Sequence, residues 1–89
     1  MFYFSFPEKI TEIGDAAFSQ TSISGNLVLP YDVSIIGSNA FQSTKISGLQ
    51  LSDSLKEIRD QAFMSCNALS STLVLPEGLV YIGSYVFYD

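Results

Sequence analysis

The 89-residue chain offers one thiol, Cys66, nine carboxylates, four cations and no histidine. Without an imidazole there can be no Ser-His or Cys-His couple and no His-based metal cluster. The carboxylates are dispersed along the chain, whereas acid/base hydrolysis of glycosides needs two of them facing one another in a water-excluding site. No Gly-rich phosphate loop follows any strand-like segment. The nearest approach to a metal site is the row Glu8, Tyr31, Asp53 and Glu77, with Asp32 beside it. Calcium takes about six to eight oxygens in a shaped loop, and Tyr31 interrupts this row, so it reads as a solvated acidic edge. The chemistry therefore points away from catalysis: no catalytic residue, metal or cofactor is assigned.

The elements that carry these residues repeat. Ile13, Ile36, Ile58 and Ile82 recur at intervals of 23, 22 and 24 residues, and Phe18, Phe41, Phe63 and Phe87 recur with them. A period of this size marks stacked coils, each burying its apolar face against the next. The coils run over about 4–26, 27–48, 49–72 and 73–89, one domain in all. The register stops before the fourth closes, which reads as a piece of a longer array.

Each coil begins with a strand-like triplet: Phe4-Ser5-Phe6, Leu27-Val28-Leu29, Leu49-Gln50-Leu51 and Leu73-Val74-Leu75. Alternation directs two apolar side chains inward and one outward. Pro7, Pro30 and Pro76 should stop the strands, since proline removes a ladder donor; Ser52 stands in that slot in the third coil. Ile10, Val33, Leu55 and Leu79 form one inward row and the isoleucines another, with a short extended segment between them. Gly14, Gly37, Arg59 and Gly83 follow, and Arg59 shows that this row does not require a positive φ. Next come Asp15, Ser38, Asp60 and Ser84, whose side chains suit a helix N-cap. Each is expected to open a short helical turn carrying Ala17-Phe18, Ala40-Phe41, Ala62-Phe63 or Val86-Phe87, with the rings stacked inside. Cys66 aligns with Thr21 and Thr44, which makes it a small packing position rather than a reactive thiol.

Composition narrows the partners. Hydrophobic residues make up 47% of the chain and charged ones only 15%, so the polar surface is built mainly from Ser, Thr, Asn and Gln. With a net charge of −5 and no run among Lys9, Lys45, Lys56 and Arg59, the chain cannot track a phosphate backbone. The same balance argues against an anionic membrane surface, and no apolar stretch reaches a membrane span. The start of the chain, Met1 to Phe6, lacks the basic residues and the length of a signal peptide. No Asn-x-Ser/Thr sequon is present.

The pattern L-x-L-P-x-x-(I/V/L)-x-x-I-G-x-x-A-F-x-x-(C/T) resembles the BspA-like leucine-rich repeats (leucine-rich repeat 5 type) of bacterial surface proteins. Leu75 to Phe87 comes close to it, with Val86 in place of the usual alanine, and the resemblance covers nearly the whole chain. It implies a leucine-rich repeat solenoid: a right-handed coil with a parallel β-sheet on one face and short helical turns or extended segments on the other. It also implies an extracellular or cell-surface binding protein, associated with adhesion to host matrix proteins or other cells. No catalytic residues come with it.

Two surfaces are expected to bind. The outward strand row Ser5, Val28, Gln50 and Val74, flanked by Tyr3, Asn26 and Thr72, is the candidate face for a protein or glycoprotein ligand, host extracellular matrix included. The apolar ends, Phe2 and Phe4 on one side and Tyr85 and Tyr88 on the other, are candidate self-association edges, because an unpaired apolar edge tends to recruit another chain. A structural spacer that assembles only through these ends is the alternative to an adhesion module.

Overall fold

The computed structural model describes residues 10–70 and 73–88. Ser5, Tyr3, Thr72, Phe2 and Phe4, together with the first triplet, lie outside the described residues.

The isoleucine row forms the longest ladder. Strands β1 (Glu12–Ile13), β3 (Ile35–Ile36), β5 (Glu57–Ile58) and β6 (Tyr81–Ile82) pair in parallel in the order β1-β3-β5-β6. Each repeat adds one two-residue strand, with Ile13 opposite Ile36, Ile36 opposite Ile58 and Ile58 opposite Ile82. The segment expected to be merely extended thus runs through all four repeats as a continuous sheet. Among the described residues a second sheet pairs β2 (Ser24–Val28) with β4 (Lys45–Gln50), with a shift in register between Gly25 and Asn26. Gly25 has φ +83°, a conformation glycine adopts without a Cβ penalty. β2 ends two residues before Pro30 and β4 two residues before Ser52, so the strand stops at the same register with and without the proline. Where Ser52 replaces proline, its buried hydroxyl donates to the carbonyl of Val33 at 2.6 Å.

The expected helical turns are absent: no helix occurs among the described residues. Asp15 and Asp60 do not cap their own segment. Each carboxylate reaches to the next repeat, where Oδ1 accepts from the backbone N–H of Ser38 or Ser84 at 2.9 Å. Ala16, Asn39, Gln61 and Tyr85, the residues that follow this slot, have φ between 56° and 63°, which a right-handed helix forbids. The segment is instead a chain of tight turns with a divided hydrogen-bond pattern. Ala17, Ser19 and Thr21 donate to carbonyls three residues back, whereas Ala16, Phe18 and Gln20 donate to Ser38, Ala40 and Gln42 of the next repeat. The second and third repeats do the same, and Gln61, Phe63 and Ser65 donate to Ser84, Val86 and Tyr88. Turn and ladder together satisfy the backbone that a helix would have satisfied internally.

The core lies between these ladders. Val33, Ile36, Ala40, Phe41, Ile46, Leu55, Ile58 and Ala62 are inaccessible to solvent. The phenylalanines form one column, with ring centroids 5.3, 5.3 and 5.7 Å apart and planes within 9° of parallel from Phe18 to Phe87.

Candidate binding face

Cys66 belongs to this core. Its thiol donates to the carbonyl of Phe41 at 3.0 Å and lies 3.4 Å from the Thr44 hydroxyl, in a buried position. In the first repeat the Thr21 hydroxyl donates instead within its own repeat, to the carbonyl of Phe18 three residues back, at 2.8 Å. Thiol and hydroxyl thus fill one slot of the repeat, each with a phenylalanine carbonyl as acceptor, the thiol's in the preceding repeat and the Thr21 hydroxyl's in its own. Cys66→Thr adds a methyl group at a buried position that threonine fills in two other repeats, and is expected to destabilise by no more than about 1–3 kcal/mol. Urea denaturation of the variant checks this, and thiol reagents should label folded wild-type protein far more slowly than unfolded protein.

The outward row stands where its alternation places it. Asn26, Val28, Gln50 and Val74 are all exposed, while Leu27, Leu29 and Leu49 between them are buried. Asn26, Gln50 and Val74 gather around one cleft of about 440 Å³, together with Leu49, Leu51, Asp53 and Pro76. Val28 lies on the same face outside the residues lining the cleft.

Among the described residues the third triplet pairs in a strand ladder on one side, and the cleft lies on the other. β4 meets β2, and Leu29 N–H donates to the carbonyl of Gln50 at 3.0 Å. On the other side, among the described residues, Ser70 N–H reaches the carbonyl of Ser47, but Leu73-Val74-Leu75 forms no strand. The fourth triplet was expected to extend this sheet and does not. Val74 and Leu75 are consequently exposed, and the gap between them and β4 is the cleft.

Sequence reasoning placed Asp53 in the acidic row and Leu51 inside, and missed both as lining residues. Leu51 closes the third triplet and Asp53 follows Ser52, the slot without a proline, which was the available signal. The lining combines two carboxamides, one carboxylate and an apolar floor. It can exchange hydrogen bonds with hydroxyl or amide groups and pack against a nonpolar face. Among the described residues no three His, Cys, Asp or Glu side chains stand together in metal-ligating geometry.

At the C-terminal end Tyr85 and Tyr88 are exposed and meet edge to face, with centroids 5.3 Å apart. They do not cover the core beneath them, since Ile82 remains 44% and Phe87 43% exposed. No helix among the described residues is long and apolar enough to cross a membrane.

Comparison with known proteins agrees with the repeat. No curated protein and no solved structure gives a significant match. A family model described as "BspA type Leucine rich repeat region (6 copies)" matches residues 1–89. Proteins of this family are repeat modules of protein interaction and adhesion, generally non-enzymatic and typically secreted or on the cell surface. With its isoleucine ladder, phenylalanine column and Thr/Cys slot in the same period, the chain belongs to the BspA-type leucine-rich repeat family.

Proposed function

We propose that this chain is a non-catalytic binding module of a secreted or cell-surface repeat protein, engaging a host or bacterial macromolecule through its strand face. The coils form one domain and wind right-handed, as parallel crossovers do. The observation that carries the reading is the convergence of Asn26, Gln50, Asp53 and Val74 on one open cleft. A macromolecule can present an extended run of amides or hydroxyls to such a surface, and stacked repeats supply the length that a single pocket lacks. Glycoproteins of the extracellular matrix carry both kinds of group, and the mainly uncharged exterior imposes no demand for a charged partner.

The test is solid-phase binding to immobilised matrix glycoproteins and mucin. Val28 is 50% and Val74 77% exposed, so lysine at both positions should leave the fold intact. Val28→Lys combined with Val74→Lys is expected to weaken binding by about tenfold or more, the effect of placing charges in an apolar contact. Unchanged affinity in the double variant would remove the strand face from consideration.

A further inference from the structure

We propose that a polar groove between the second and third repeats is a binding site for an acidic sugar, with Lys45 pairing the sugar's carboxylate or sulfate while serine and carboxamide groups take its hydroxyls. The groove has a volume of about 370 Å³ and is lined by Ser43, Thr44, Lys45, Ser65, Asn67 and Ala68. It shares no lining residue with the strand-face cleft. Its two walls belong to consecutive repeats, held together where Ser43 N–H donates to the carbonyl of Met64 at 2.9 Å.

A difference in length between repeats builds one wall. One residue separates the Thr slot from the next core residue in Thr21-Ser22-Ile23 and Thr44-Lys45-Ile46, whereas two do so in Cys66-Asn67-Ala68-Leu69. The longer segment forms a tight turn, closed by Leu69 N–H to the carbonyl of Cys66 at 3.1 Å, and leaves Asn67 and Ala68 exposed along the groove that Lys45 lines. Ser43 and Ser65 stand in the same slot of neighbouring repeats with the same φ of 61°, so their hydroxyls leave the backbone alike. Among the described residues neither hydroxyl has a hydrogen-bond partner, nor has the Asn67 carboxamide. These groups are available to a ligand.

Charge is segregated along each repeat. From Phe18 to Pro30, from Phe41 to Leu51 and from Phe63 to Leu75 the one charged residue is Lys45, and the described carboxylates all fall in the other part of the repeat. Lys45 is exposed and has no ion partner among the described residues. A lone ammonium cannot follow a polyanion, which agrees with the net charge of −5. It can take one acidic group, while hydroxyls and an amide around it exchange hydrogen bonds with a sugar ring. Screening over about 8 Å leaves the local sign of charge in control of so small a ligand. The volume lies at the lower end of small-ligand sites, about 300–1,000 Å³, which suits a sugar unit rather than a chain.

The test is titration of isotopically labelled protein with sialyllactose, with sulfated lactose and with lactose, followed by backbone amide chemical shifts. At least one acidic sugar should shift the amides of Ser43, Lys45, Ser65, Asn67 and Ala68 and bind about fivefold or more tightly than lactose, and the arm that binds identifies carboxylate or sulfate. Lys45→Glu should weaken that binding by about fivefold or more, since an exposed attraction becomes a repulsion, while Lys45→Arg stays within about twofold. Lys56→Glu makes the same change in net charge outside the groove and should leave binding unchanged. Circular dichroism establishes that the variants are folded. Val28→Lys combined with Val74→Lys should keep the groove shifts, so failure of the strand face and failure of the groove are read separately. Binding of neither acidic sugar would overturn the proposal. So would lactose binding as tightly as they do, equal losses in Lys45→Glu and Lys56→Glu, or amide shifts confined to the strand face.

Discussion

Phe41→Ala is expected to destabilise the protein by about 3–5 kcal/mol, a cost typical of emptying a buried phenylalanine site. The ring has no exposed surface and lies between two others, 5.3 Å from Phe18 and 5.3 Å from Phe63. Its removal leaves a gap that neighbouring rings cannot fill without leaving their own ladders, since the backbone N–H of Phe18 is held by the carbonyl of Ala40 and that of Phe63 by the carbonyl of Val86. In a stack whose stability is roughly a sum of interfaces between neighbours, a central residue contributes to two of them and a terminal one to a single interface. Phe87, 43% exposed and stacked only on Phe63 among the described residues, should therefore cost markedly less as Phe87→Ala. Equilibrium urea denaturation followed by circular dichroism measures both. A Phe41→Ala variant within about 1 kcal/mol of wild type would mean that the column is not what holds the repeats together.

Much of this fold was legible because the period acts on side chains. An isoleucine, a phenylalanine and a Thr/Cys slot recurring in one register can face a common interior only if the chain coils once per repeat, and the three rows do stack. What was not legible depends on backbone geometry. Asp15 and Asp60 have the chemistry of N-caps, and in a single segment an N-cap is the natural reading. Their acceptors serve the neighbouring repeat instead, a choice that becomes available only once the repeats are stacked. Nor does sequence flag the left-handed residues, since Ala16, Gln61 and Tyr85 are not the types that favour positive φ. The cleft escaped for a related reason. Leu73-Val74-Leu75 carries the same letters as Leu27-Val28-Leu29, yet strand pairing belongs to two segments jointly, and the fourth triplet stands off from β4. Val28, Gln50 and Val74 are exposed, while the space between them is a property of the ladder that the fourth triplet does not form.

Gly37→Arg is expected to cost about 1–3 kcal/mol or more through overpacking, although the same row accepts an arginine one repeat later. The glycines of this row are not needed for φ, since Gly25 is the glycine with positive φ among those described. They are needed for space. A Cβ on Gly37 would lie 2.6 Å from Asp15 Oδ1, 2.7 Å from Asp15 N and 2.7 Å from the carbonyl carbon of Gly14. Asp15 cannot withdraw freely, because its carboxylate accepts the Ser38 N–H. Gly83 faces Asp60 in the same manner, with Ser84 N–H as the donor. Below Arg59 the preceding repeat carries Ser38 in place of an aspartate, and the arginine side chain turns outward to Glu57 at 3.1 Å. An aspartate in one repeat thus goes with a glycine in the next, and a serine removes the carboxylate's share of the clash while the backbone contacts remain. Arg59→Gly should then cost less than about 1 kcal/mol, since its exposed ion pair contributes little. Adding Asp15→Ser to Gly37→Arg should recover part of the loss, a coupling that a double-mutant cycle by urea denaturation reads directly. Equal stability of Gly37→Arg and Arg59→Gly, or strict additivity in the cycle, would show that the alternation of Asp15, Ser38 and Asp60 with Gly37, Arg59 and Gly83 is coincidental.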